Sequence, residues 1–144
     1  MTHTFAYLHG KLDGFHDAIS GLSENSSQDA LEKFATYLSP NGEFYLGGMN
    51  IPPARKRNEA IDGMRQLLKY WRLKERRVRV RAITQDGKTA IAEMDNVLEI
   101  LGERLEFKEI EVADFDEDGL IVGFRIYCDN KPVEEILAKH GRNP

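Results

Sequence analysis

The chain has 144 residues, 41% of them hydrophobic and 31% charged, with a net charge of −4 at pH 7. That is the size of one domain, here residues 1–144, that buries a core without staples. Its acidic balance argues against a general nucleic-acid binder, which is usually basic overall. Cys128 is the only cysteine, which excludes an internal disulfide and fits a reducing, cytoplasmic setting. No apolar run reaches signal-peptide length or the ~18 residues of a membrane span.

Phe5, Leu8, Leu12, Phe15, Ile19 and Leu22 recur at three- and four-residue spacings and predict a first amphipathic helix, broken at Gly21. A second helix carries Leu31, Phe34, Ala35 and Leu38, with Ser26 or Ser27 as its cap and Ser39-Pro40-Asn41-Gly42 as its stop. Glu43–Leu46 reads as a short strand closed by Gly47-Gly48. A third helix is expected from about Asn58 to Arg72, with Ile61, Met64, Leu67, Leu68 and Trp71 as its apolar positions. The rest alternates as strands: Val78–Thr84, Thr89–Leu101, Arg104–Phe115 and Leu120–Cys128, separated by turns at Asp86-Gly87, Leu101-Gly102 and Asp118-Gly119. A short helix is expected around Val133–Leu137.

The faces of this sheet follow from charge pairing. A two-residue turn at Leu101-Gly102 sets Ile100 opposite Glu103, Glu99 opposite Arg104 and Asp95 opposite Lys108, which places opposite charges across the ladder. It also sets Met94 opposite Glu109 and Ala92 opposite Glu111. A four-residue loop over Asp116–Gly119 sets Phe115 opposite Leu120, Glu111 opposite Phe124 and Glu109 opposite Ile126. One face then collects Ala92, Met94, Asn96, Leu98, Phe107, Glu109, Glu111, Leu120, Val122, Phe124, Ile126 and Cys128 and must be the core face. At Asp86-Gly87 a three-residue loop is preferred, with Arg81 opposite Glu93, Arg79 opposite Asp95, and Val78, Val80 and Ala82 inside.

Three helices followed by a long, bent sheet resemble the nuclear transport factor 2-like fold, and more narrowly the SnoaL-like and ketosteroid isomerase-like small enzymes. The stretches that carry the likeness are Asn58-Glu59-Ala60-Ile61-Asp62-Gly63-Met64 and Ile110-Glu111-Val112-Ala113-Asp114-Phe115-Asp116-Glu117-Asp118-Gly119-Leu120-Ile121. The resemblance implies an α+β, cone-shaped, cystatin-like roll, with three helices on a strongly curved, mixed but mostly antiparallel sheet. In ketosteroid isomerases a protonated carboxylic acid in an apolar site donates a hydrogen bond to the substrate, and Glu111 falls at the matching position. Where that family has its general base, this chain has Leu46-Gly47. Where the polyketide cyclases place an acid on the last strand, it has Phe124, Ile126 and Cys128.

Glu109 and Glu111 are the sharpest feature, because two acids two apart on a strand share a face and an apolar surrounding raises a carboxyl pKa. The bland alternative is pairing with an inward Arg or Lys. Asn96 faces the same way and would orient an oxygen, or simply bond the backbone. His16, beside Phe15, is a candidate acid, base or donor, or an ordinary core histidine. Tyr45, Met64, Trp71, Met94, Phe107, Phe124 and Ile126 are the expected substrate-binding side chains. Eleven basic and three acidic residues fall between Arg55 and Arg81, best read as a solvated surface.

The expectation is a cofactor-independent isomerase or cyclase, with dehydration a further option, acting on a small apolar molecule such as a polyketide, terpenoid or steroid-like compound. Glu111, Glu109, Asn96 and His16 are its candidate catalytic residues. No metal, nucleic-acid or membrane partner is expected. An outer patch of Val97, Ile110, Val112 and Tyr127 suggests a homodimer. The competing expectations are a ligand-binding or dimerisation module that kept the cone without catalysis, and an adaptor using the basic run.

Overall fold

The computed structural model describes residues 2–142. Its elements are α1 (Phe5–Ser20), α2 (Gln28–Ala35), β1 (Leu38–Phe44), α3 (Arg57–Leu67), β2 (Trp71–Glu75), β3 (Val78–Ile83), β4 (Thr89–Ile100), β5 (Glu103–Phe115), β6 (Ile121–Cys128) and α4 (Lys131–Lys139). One mixed sheet runs β1-β6-β5-β4-β2, with β3 also on β4, and only β1 and β6 are parallel. It curls strongly around its apolar face, the expected α+β cone.

The helices form where the sequence signals them. Thr4 accepts a hydrogen bond from the Tyr7 N–H at the start of α1, and Ser27 accepts one from the Ala30 N–H at the start of α2, each satisfying an end-of-helix donor. Leu8, Leu12, Phe15 and Ile19 turn one stripe of α1 into the core. Phe15 is fully buried between Phe34 and Phe124, each with its ring centroid 5.4 Å away.

The β4–β5 register is the expected one throughout, from Ile100 opposite Glu103 to Ala92 opposite Glu111. Leu101 (φ 49) and Gly102 (φ 83) form the two-residue turn, whose positive φ angles match strand twist.

The structure corrects the expectation at five places. A bulge between Asp114 and Phe115 moves β6 along, so Glu111 faces Ile126 and Glu109 faces Cys128. Ile121 is therefore buried where Leu120 and Val122 were expected. A displacement of two keeps each side chain on its own face, and both glutamates stay on the concave side.

The β3–β4 ladder is shifted by one next to the turn, with Arg81 opposite Ala92 and Val80 opposite Glu93, while a bulge between Val78 and Val80 leaves Val78 opposite Met94 and packed on the core and Arg79 at 3.0 Å from Asp95, both as expected. One residue of slip reverses the faces. Arg81 turns in, and Val80 is 51% exposed.

The third helix stops at Leu67, and Trp71 opens β2, an extra strand pairing with Ile100–Val97 of β4. The first strand starts earlier, at Leu38, and carries Pro40. Edge strands tolerate proline, and β1 lies at the sheet edge, paired with β6 through an interrupted register and bridged at its end by Phe44 to Ala54.

Val97 is buried rather than part of an outer patch. Glu75, Val97 and Glu106 lie in one row, and the Arg77 guanidinium above them reaches Glu75 at 3.0 Å and Glu106 at 3.6 Å.

Candidate active site

An apolar cavity of about 290 Å³ opens on the concave face of the sheet. Trp71, Leu98, Phe107 and Ile126 form its floor. Leu67 and Tyr70 close one side, and Val133 and Leu137 of α4 another. The segment after β1 forms the rim through Leu46, Gly47 and Ile51. The Asn130 side chain donates to the Gly47 carbonyl at 3.3 Å and clips that rim to the end of β6. Gly48 makes the turn at φ +98, where an added Cβ would meet the Asn130 amide at 3.0 Å.

A recess of about 40 Å³ adjoins the cavity. The two share Leu46, Leu67, Trp71, Glu109 and Ile126 as walls, and the recess adds His16, Met64, Asn96 and Phe124 among others. A ligand in the cavity thus meets mostly hydrocarbon and aromatic surface, with Asn50, Asn130 and Glu134 as polar groups of the cavity wall and Glu109, Asn96 and His16 as those of the recess.

Glu109 is the carboxyl common to both spaces. Burial pushes its pKa up from 4.5 to about 7, with the Glu111 charge adding to the rise and the Asn96 hydrogen bond and Arg76 opposing it. Asn96 donates to Glu109 Oε2 at 3.1 Å and makes a weaker contact to Met94 Sδ at 3.6 Å, while its own oxygen accepts from the Arg77 backbone N–H at 3.0 Å. The amide is fully engaged. It orients Glu109 and has no hydrogen left for a ligand.

Glu111 lies on the same face but lines neither space and has no exposed surface. One oxygen is hydrogen-bonded to His16 Nε2, and the other accepts from Arg76 Nη2 at 2.8 Å. Burial alone would raise its pKa; the charge and hydrogen bond of His16, together with Arg76, outweigh burial and hold it below the ordinary range. Behind it, Asp13 on α1 accepts from Arg76 and, at 2.8 Å, from Arg81. Asp13 is half-exposed; burial would lift its pKa, but the two arginines hold it low. His9 completes the row: its Nε2 donates to the Ala82 carbonyl at 3.0 Å, and Nδ1 accepts from Arg81 at 3.3 Å.

The structure therefore brings Glu109, Asn96 and His16 together at the recess, with Glu111 one step behind His16. Trp71, Phe107, Phe124, Ile126 and Met64 each line one or both of the two spaces. Tyr45 does not line them; its N–H bonds the Phe124 carbonyl, and its neighbours Leu46 and Gly47 reach the rim. Met94 is buried beside Asn96. Cys128 lines the cavity. Burial and the nearby Glu109 charge push its thiol up to about 11, which leaves it protonated rather than nucleophilic at neutral pH.

Sequence reasoning missed Asp13, Arg76 and Arg81. A signal was present: His9, Asp13 and His16 stand at four- and three-residue spacing on α1, a polar row beside the apolar stripe. It also missed the wall that α4 supplies. Among the described residues no cluster of three His, Cys, Asp or Glu side chains is arranged to hold a metal, and no helix is long and apolar enough to cross a membrane.

The curled sheet and the helices on its concave side define a nuclear transport factor 2-like fold. Two solved structures share it over nearly their whole length. One is an LEH-like epoxide hydrolase of M. tuberculosis (TM-score 0.69, 16% identity, 93% of this chain and 91% of that one). The other is a protein of Pseudomonas putida KT2440 assigned as a polyketide cyclase (TM-score 0.71, 15% identity, 93% and 97%). No protein-family model and no curated protein matches the sequence.

Proposed function

We propose that this protein is a cofactor-independent enzyme that moves a proton on a small, largely apolar molecule, as an isomerase or cyclase does. The observation that carries the reading is the position of Glu109. It stands at the junction of an apolar cavity and a recess that holds His16 and Asn96, where burial pushes its carboxyl up to about 7. A group half protonated at the working pH both gives and takes protons efficiently. The ligand's hydrocarbon body packs on Trp71, Phe107 and Ile126, and its reacting end reaches Glu109. Asn96 fixes the carboxyl's orientation. His16 is the remaining polar group of the recess that a ligand meets, with Glu111 behind it. The fold shared with a protein assigned as a polyketide cyclase supports the same class.

One observation favours a second chemistry at the same groups. The recess holds about 40 Å³, enough for a single water with polar partners. Glu109 and His16 on either side would activate that water against a bound electrophile, a hydrolysis or hydration. The fold shared with an epoxide hydrolase-like protein is consistent with it.

Isotopes separate the readings. Panels of small apolar ketones and enones in D2O, followed by NMR, gain deuterium at carbon under the first. Panels of apolar epoxides in H2(18)O gain the label in the product under the second. Either signal is lost in Glu109→Gln. Ligand binding with no isotope uptake in any panel supports the non-catalytic ligand-binding module instead. We also propose that a second copy of the chain covers the outer sheet face. There Val80, Glu93, Ile110 and Tyr127 form one row across four strands, with Val80 51%, Ile110 41% and Tyr127 48% exposed.

A further inference from the structure

His16 has two ring nitrogens with opposite circumstances. Nε2 is hydrogen-bonded to Glu111, while Nδ1 is buried with no partner among the described residues. The ring as a whole is 7% exposed and forms part of the recess wall. An ionised carboxylate only accepts hydrogen bonds, so the nitrogen that faces it carries the hydrogen. The other nitrogen of a neutral ring then presents its lone pair. The tautomer is decided by the state and direction of Glu111, and those are decided one residue further back.

Glu111 is held by Arg76, and Arg76 by Asp13. The Arg76 side chain is 12% exposed and spends Nη2 on Glu111 Oε1 at 2.8 Å and Nη1 on Asp13 Oδ1. Arg81 steadies the same Asp13 oxygen at 2.8 Å. Neither Asp13 nor Arg76 lines the cavity or the recess. Both act at a distance of one or two hydrogen bonds.

We propose that Arg76, anchored by Asp13, is the positioning residue of this site: it turns the Glu111 carboxylate toward His16, fixes Nε2 as the N–H donor in either charge state of the ring, and in the neutral ring leaves Nδ1 as the hydrogen-bond acceptor on the recess wall. The functional consequence rests on the reading of the recess as the reaction site. A recess with an acceptor nitrogen on one wall and the Glu109 carboxyl on another selects a ligand end that donates a hydrogen bond, a hydroxyl group or a water. A bare carbonyl oxygen finds no donor on the neutral His16 ring and turns instead to protonated Glu109.

The test is the tautomer itself, which needs no substrate. In protein with ¹⁵N-labelled histidine, long-range ¹H–¹⁵N correlation of His16 is followed up the pH scale until the ring is neutral. The wild type is expected to show a single tautomer, with a pyrrole-type Nε2 and a pyridine-type Nδ1, their resonances widely split. Asp13→Asn, at a half-exposed position that leaves the core intact, is expected to narrow that split as the other tautomer is populated. Arg76→Met should narrow it further, and Arg76→Lys should restore it in part. A neutral ring with Nδ1 protonated, a ring with both nitrogens protonated throughout, or a split unchanged in Asp13→Asn and in folded Arg76→Met would overturn the proposal. Because the readout is spectroscopic, it stands or falls apart from the isotope experiments. A correct tautomer with no turnover would refute the enzyme reading alone.

Discussion

Glu109 and Glu111 stand two residues apart on one face of β5, yet their pKa values are driven in opposite directions. Glu109 meets an apolar cavity and a neutral amide and is raised to about 7; Glu111 meets His16 and Arg76 and is lowered. The one that can exchange protons with a ligand is the one that lines the cavity.

The raised carboxyl has a cost that pH reveals. An acid whose folded pKa exceeds its unfolded value holds its proton more tightly when folded, so stability falls as pH rises between the two values. For Glu109 that window runs from 4.5 to about 7, and the loss is roughly 3 kcal/mol at most. Glu109→Gln is expected to abolish turnover and to be more stable than the wild type above pH 7. Urea unfolding at pH 5 and pH 8 checks it: the difference in midpoints should shrink in the variant.

Asn96 donates to Glu109 and so favours its charged form. Removing that hydrogen bond in Asn96→Ala should move the Glu109 midpoint upward by roughly one pH unit, since a bond to a charged group contributes about 1.5–3 kcal/mol. The alkaline rise or fall of the pH–rate profile should move with it. The variant also orphans the Arg77 N–H, so a modest loss of stability accompanies the shift.

The concave face was legible because the β4–β5 ladder carries Asp95–Lys108 and Glu99–Arg104 in the only register that satisfies both. Parity then placed both glutamates inward even though the β5–β6 pairing was displaced by a bulge. The partners of Glu111 were not legible. Arg76 and Arg81 sit in a run that reads as solvated surface, and a one-residue change in the β3–β4 loop decides whether Arg81 points in or out. Trp71 looked helical because its apolar spacing continues that of Met64 and Leu67, but α3 closes at Leu67 and Trp71 pairs with Ile100.

Arg76 also bears on stability. Breaking a buried ion pair from one side leaves a charge without compensation, a loss of roughly 3–5 kcal/mol. Arg76→Met is expected to lose that much in chemical denaturation at neutral pH. The signs at low pH follow from lowered carboxyls: Glu111 and Asp13 stabilise the fold above the ordinary carboxylate range and lose that contribution as pH falls through their depressed values. The deficit of Arg76→Met should therefore narrow in acid.

On the convex side, Ile110 and Tyr127 are directly paired and exposed. If a second copy covers them, Tyr127→Lys places a charge at the centre of that contact. Sedimentation velocity is expected to show a dimer for the wild type and a monomer for the variant, with the fold unchanged by circular dichroism. A wild-type monomer at tens of micromolar would exclude this face as the interface.

The central claim is that Glu109 holds a proton at the inner end of an apolar cavity. The most direct measurement is a ¹³C NMR titration of the Glu109 carboxyl, assigned by comparison with Glu109→Gln. The account predicts a midpoint at about 7. A midpoint near 4.5, that of an ordinary glutamate, would contradict it.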